Sequence, residues 1–161
     1  MALVPMIFFD NAVADIFRKS LARWEDDLAD PAGFFQMALT NTTPNPATDL
    51  LFTDIPEIPR VNGYFTGQSE HSGDRYDIDH DILTVGKTST MTAIKIEQQA
   101  AGGSIGPFRY MVMYGGSVTP DRPLVCFWDH GSEVTILDGF IHTFFFNGSP
   151  NVGTVFTGFS L

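Results

Sequence analysis

A chain of 161 residues is long enough to bury a core without disulfides or metals, and it fits one domain, residues 1–161. Lys and Arg number 9 against 19 Asp and Glu, a net charge of −10, which argues against nucleic acid or an anionic membrane as the main partner because both require a basic face. With 43% hydrophobic and only 17% charged residues the chain is not a disordered one, and 15 Gly, 10 Pro and 15 Phe lean toward turn-rich β structure.

The first nine residues are apolar but lack a positive flank, so no signal peptide is expected. Phe9, Val13, Ile16, Phe17, Leu21, Trp24 and Leu28 then recur at spacings of three and four, which predicts an amphipathic helix over residues 10–29. Asp10 or Asn11 can cap its start, and Asp30-Pro31 with Gly33 ends it. Such a stripe covers its own domain or docks on a neighbouring subunit.

From residue 34 onward the period is two. Phe35, Met37 and Leu39 alternate with Gln36, Ala38 and Thr40 in a first strand. Pro44 and Pro46 make a loop, residues 50–55 a short strand or extended segment, and Asn62-Gly63 a turn. Further strands are predicted over 76–85, 88–98, 108–114, 124–128, 134–137, 140–146 and 152–159, with breaks at Gly102-Gly103, Gly115-Gly116, Pro120-Asp121, Asp138-Gly139 and Asn147-Gly148. No helix separates these strands, so the sheet is not a parallel α/β one. The fold expected is all-β, an antiparallel, jelly-roll-like β-sandwich of about seven to nine short strands over 34–161 behind one N-terminal helix.

Chemical motifs are sparse. The single cysteine, Cys126, forbids an intrachain disulfide and sits in the apolar run Pro123–Trp128, where a buried, inert thiol is expected. Gly102-Gly103-Ser104-Ile105-Gly106 fits G-x-S-x-G, but a nucleophile elbow on Ser104 needs a helix after it and the residues from Phe108 read as strand. Gly86-Lys87-Thr88 has Asp81 where a phosphate-binding loop needs glycine. Asp77, Asp79 and Asp81 would line one face of a strand ~6.6 Å apart, as a solvated edge, an intersubunit salt-bridge site or, with poor ligand spacing, a cation site. His71, His80, His130 and His142 are scattered, so no metal site is assigned; His142, among Phe140, Phe144 and Phe146, reads as a packed histidine. No catalytic residues, cofactor or bound metal are expected. Phe144 and Phe145 are neighbours on a strand and cannot face one core, so one side of that strand must meet a second layer or another subunit.

Three segments carry a resemblance. Residues Met37–Pro44, the run Gly102-Gly103-Ser104-Ile105-Gly106-Pro107-Phe108-Arg109-Tyr110, and Pro123–Ser132 followed by Val134, Ile136 and Asp138-Gly139 resemble a family of small virion structural proteins of tailed bacteriophages. Asn62-Gly63-Tyr64 adds to it. The chain departs from the family pattern in the acidic run Tyr76–Asp81 and in a longer, more apolar end from Phe140. The resemblance implies a virion component, not an enzyme, that is assembled in the host cytoplasm. The expectation is a capsid decoration or cement protein that forms a symmetric oligomer, a trimer being the order assumed, on the major capsid protein. Its interface residues would be Phe9, Val13, Phe17, Leu21 and Trp24 of the helix stripe, Asp77, Asp79 and Asp81, and Phe144, Phe145, Phe146, Phe156 and Phe159 of the Phe-rich segment 140–161. The alternatives are a tail, head–tail junction or fibre protein partnered by tail proteins, a carbohydrate-binding sandwich using Trp24, Trp128 or tyrosines on a concave face, and a hydrolase built on Ser104.

Overall fold

The computed structural model describes residues 6–12, 35–64, 76–77, 80–85, 88–115, 122–145 and 152–159. Its strands are β1 (Met6–Phe8), β2 (Phe35–Thr40), β3 (Tyr76–Asp77), β4 (His80–Val85), β5 (Thr88–Ile94), β6 (Ile96–Gln99), β7 (Ile105–Gly115), β8 (Leu124–Ile136), β9 (Ile141–Phe144) and β10 (Val152–Phe159). They form a five-stranded sheet in the order β1-β8-β7-β2-β3, a three-stranded sheet β10-β5-β4 and a pair β6-β9. Every pairing among the described residues is antiparallel. The fold is all-β and sandwich-like, with open sheets rather than a closed barrel.

The long central strands β7 and β8 follow from runs of aromatic, β-branched and methionine side chains that fill a pleated surface from both sides. β2 lies beside β7, and all six of its residues are buried, so its alternation of apolar and less apolar residues does not mark a wet face. Phe35, Met37 and Leu39 join Met111, Met113, Cys126 and Trp128 in the larger core, which also takes Ala93, Ile96 and Phe144 from the opposing strands. Ala38 points the other way, with Tyr110, Val112, Tyr114, Leu124 and Phe127, and that face is closed by Phe9, Ala12 and Ile55. Residues 10–12 begin in helical geometry, and the rest of the predicted helix lies outside the described residues.

Several expected strand limits shift for identifiable reasons. Residues 50–55 do not form a strand. The Asp54 carboxylate accepts from the backbone N–H groups of Leu50 and Leu51, both at 2.9 Å, and Phe52–Asp54 curls into a short 3-10 turn. A side chain that takes backbone donors in this way competes with a ladder, and the same two bonds hold the Asp54 carboxyl below its ordinary range. The strands expected at 124–128 and 134–137 are one strand, β8, carried through Gly131 at φ 80° with Gly131 N–H donating to Asp129 Oδ1 at 2.7 Å. The strand expected over 76–85 splits between sheets: Asp77 pairs with Gln36 and Asp81 with Thr92. That over 88–98 breaks at Lys95, where pairing passes from β10 to β9.

Register shifts in the β7–β8 ladder re-aim side chains. One lies between Phe108 and Tyr110 and another between Met113 and Tyr114. Because of them Phe108 and Met111 share one face, and Val125 joins Cys126 on it. Cys126 is fully buried and its thiol is pushed well above its usual range by desolvation, as expected of an inert sulfur. On the far side of β2, Tyr64 replaces part of a strand. Its hydroxyl accepts from Leu39 N–H at 2.7 Å and donates to Glu57 Oε1 at 2.9 Å, while Ile58 N–H donates to Leu39 O. Burial holds the Tyr64 phenol well above its ordinary pKa.

Phe144 and Phe145 test this layering directly. Phe144 is 3% exposed and Phe145 47%. Phe144→Ala should cost about 3–5 kcal/mol in urea unfolding, whereas Phe145→Ala should stay within about 0.5 kcal/mol of the parent. Equal costs would contradict the assignment of faces.

Candidate interaction surface

Three turns meet at one corner of the molecule. Asn62 and Gly63 turn with φ 57° and 89°. From this turn Asn62 Nδ2 donates to Ser104 O at 2.7 Å, and Asn62 O accepts from Ala101 N–H at 2.8 Å. The Asp138 carboxylate accepts from Gly102 N–H at 2.9 Å and Gly103 N–H at 3.2 Å. Ala100 donates to Phe140 O and accepts from Gly139 N–H, which pins the third turn, Asp138-Gly139, to the end of β6. Polar groups that would otherwise compete with water are thus satisfied within the corner.

The run that carries the family resemblance lies here. Gly106 sits at φ 111°, and a Cβ on it would come 2.7 Å from the carbonyl oxygen of Val134. No L side chain fits both the backbone angle and the space. Arg109 then pairs with Asp129 through two bonds, Nε to Oδ1 at 2.7 Å and Nη2 to Oδ2 at 2.8 Å, crossing from β7 to β8. That pairing holds the Asp129 carboxyl below its usual range. Ser104 is exposed and is followed at once by β7, so the strand–turn–helix setting of a nucleophile elbow is not formed there.

Around these turns the surface is apolar. Val61 is 52% exposed, Leu137 58%, Phe140 65% and Ile141 56%, while Phe145, past the far end of β9, is 47% exposed. On β9 the exposed Ile141 precedes the inward-facing His142 and Phe144, and Phe145, just past the strand, is exposed again. The rim is mixed in charge: Lys95 is paired with Glu97, and Arg60 with Glu57. Exposed apolar side chains scattered singly need no explanation, but several gathered at a rigid corner mark a contact surface.

Of the residues expected at an interface, Phe145 is exposed, whereas Phe9 and Phe144 are 0% and 3% exposed. The chain itself fills those two positions. Phe9 packs on Phe127 at 5.4 Å between ring centroids, and Phe144 lies against Phe108 at 6.0 Å, so neither offers area to a neighbour. Val13, Phe17, Leu21, Trp24, Asp79 and Phe146 lie outside the described residues. Asp77 and Asp81 stand in different sheets and do not form a single row along one strand. Phe156 and Phe159 occupy β10 opposite Met91 and Thr88. Trp128 is 8% exposed within the larger core, which leaves little of its ring for a sugar to stack on. Sequence reasoning passed over Val61 and Leu137, while Phe140 and Ile141 fall in the segment 140–161 expected at an interface without being singled out. Their signal is an apolar residue directly beside a turn pair: Val61 before Asn62-Gly63, and Leu137 and Phe140 flanking Asp138-Gly139.

No known protein family, curated protein or solved structure gives a match to this chain.

Two glycine substitutions separate conformational strain from collision. Gly131, at φ 80°, has open space where a Cβ would stand, so Gly131→Ala should cost about 1–2 kcal/mol. Gly106→Ala adds a clash with backbone and should cost more than about 3 kcal/mol. Chemical denaturation of both variants checks the order, and Gly131→Ala being the more damaging would contradict it.

Proposed function

We propose that this chain is a bacteriophage virion structural protein, and specifically a decoration or cement protein of the head. The observation that carries the reading is the apolar corner formed by Val61, Leu137, Phe140 and Ile141, held by a hydrogen-bonded set of turns at one end of the sandwich. The resemblance of Gly102–Tyr110 and of the β8 segment to small virion proteins supports the same reading, because those residues build this corner and the strands behind it.

The mechanism is mass action. A protein that binds the assembled shell and not its free subunits stabilises the shell by its binding free energy. Copies related by symmetry need only modest affinity each, since engagement of one raises the effective concentration of the next. The apolar corner supplies the desolvated contact, and the net charge of −10 favours a lattice surface rich in Lys and Arg. An acidic chain meets a basic partner more readily than a second acidic copy, so the corner is assigned to the lattice and self-association to other surfaces.

Deleting the residues after Phe140 would remove Phe144 from the core and is a poor test. Phe140→Asp with Ile141→Asp acts at the surface alone. This variant should retain its melting temperature yet lose binding to undecorated particles, by about thirtyfold or more if the pair is a hot spot. Decoration at parental affinity would overturn the assignment of the corner. Quantitative mass spectrometry of purified particles should give a copy number in proportion to the head lattice; a few copies per particle would place the chain in the tail or at the head–tail junction instead.

A further inference from the structure

Four side chains close the seam between the five-stranded sheet and the β6-β9 pair. Phe108 comes from β7, His130 from β8, and His142 and Phe144 from β9. Each ring lies near the other three. The His130–His142 centroids are 5.8 Å apart, His142–Phe144 4.7 Å and His130–Phe144 5.7 Å. Phe108 is 5.8 Å from His130 and 6.0 Å from both His142 and Phe144. Phe108 and Phe144 are core residues, so the two imidazoles are packed on apolar rings rather than on carboxylates. The Nε2 atom of His130 is buried and has no hydrogen-bond partner among the described residues.

The surrounding charges offset a proton here only in part: Asp129 favours one on His130, but less than burial and His142 oppose it. On β7, Arg109 is committed to Asp129. On β8, Asp129 is the one carboxylate among the described residues that acts on His130, and it is already engaged by Arg109 and by Gly131 N–H, while Glu133 accepts from Asn41. β6 presents neutral Gln98 opposite His142, and its Glu97 is paired with Lys95. In the turn before β9, Asp138 is bonded to Gly102 and Gly103. A proton on one ring would sit in an apolar seam, and a second would meet a like charge within 5.8 Å between centroids.

We propose that the His130–His142 pair is a proton-operated latch: closed while both rings are neutral, it releases the β6-β9 layer from the five-stranded sheet in mildly acid solution. Desolvation lowers both histidines from their ordinary value, and His142 lowers His130 further. A base whose folded pKa is depressed binds protons more weakly when folded. Its stabilisation is therefore complete above the unfolded value of about 6.5 and is lost as pH falls below it. The layer that opens carries Ile141, so acid would also rearrange the apolar corner. The inference stands on the ring cluster and not on the virion reading.

Hydrogen exchange measured by mass spectrometry at pH 7.5 and 5.0, corrected for the intrinsic rate, tests it. Protection in residues 96–99 and 141–144 should fall by about tenfold per titrating ring for each pH unit between its open and closed pKa values. Protection in β2 and β7 should hold. The double variant His130→Phe/His142→Phe should keep the β6-β9 layer protected at both pH values. Overturning results are equal protection of residues 141–144 at both pH values, simultaneous loss across all strands, or the same loss in the double variant. Should the variant fail to fold, an NMR titration of the parent decides: both rings titrating below about 6.5 supports the latch, and either one at or above that value overturns it.

Discussion

The constraint on which the rest depends is that the centre of the five-stranded sheet, where β2, the carboxyl-terminal part of β7 and the first residues of β8 lie, is dry on both faces. A sheet with one wet face can alternate apolar and polar residues, but this one cannot. β2 and the carboxyl-terminal part of β7 are buried residue after residue, and two separate clusters form, one on each side. One face is closed by β6, β9 and the segment 58–64. The other is closed by residues 9–12 and 52–55. Each covering segment is short, so each must be tied down by specific bonds, and the Tyr64 hydroxyl and the Asp54 carboxylate supply two of those ties.

Covering both faces with short pieces has a consequence at the edges. The piece that closes the larger core, β9, is only four residues long and presents alternate side chains outward. Phe144 goes in and Phe145 stays out. The turn that leads into β9 is fixed by the Asn62, Gly102–Ser104 and Asp138 bonds, so Leu137 and Phe140 are held at the surface rather than free to fold back. An apolar corner is the geometrical by-product of a sheet closed in this way, and it is the surface on which the decoration reading rests. The same closure brings His130 and His142 together with Phe108 and Phe144, because strands from the two layers must touch somewhere and these side chains are at that seam.

Much of the architecture was legible in the chain. The turn pairs Asn62-Gly63 and Asp138-Gly139 are turns, the all-β antiparallel class holds, and the neighbours Phe144 and Phe145 face opposite ways, as the pleat requires. Less legible was how far each strand runs. Asp129 and Gly131 look like a break but carry β8 through a local bond, whereas residues 76–85 look continuous but divide between sheets. The bulges that place Phe108 beside Met111, and Val125 beside Cys126, depend on a partner strand and leave no period in the sequence.

What the sequence determined by itself is local: which residues are apolar enough to be buried, where Gly, Asn and Asp force a turn, that Cys126 is a packing residue, and the acidic balance of the whole. These follow from backbone sterics and solvation, which each residue carries with it. Only the tertiary structure decided which aromatic rings are inside, that Phe9 and Phe144 are claimed by the chain's own core while Phe140 and Ile141 remain outside, and that His130 and His142, distant in sequence, share one apolar seam. Those outcomes depend on sheet pairing and register, and a shift of one residue reverses the face on which a side chain lies.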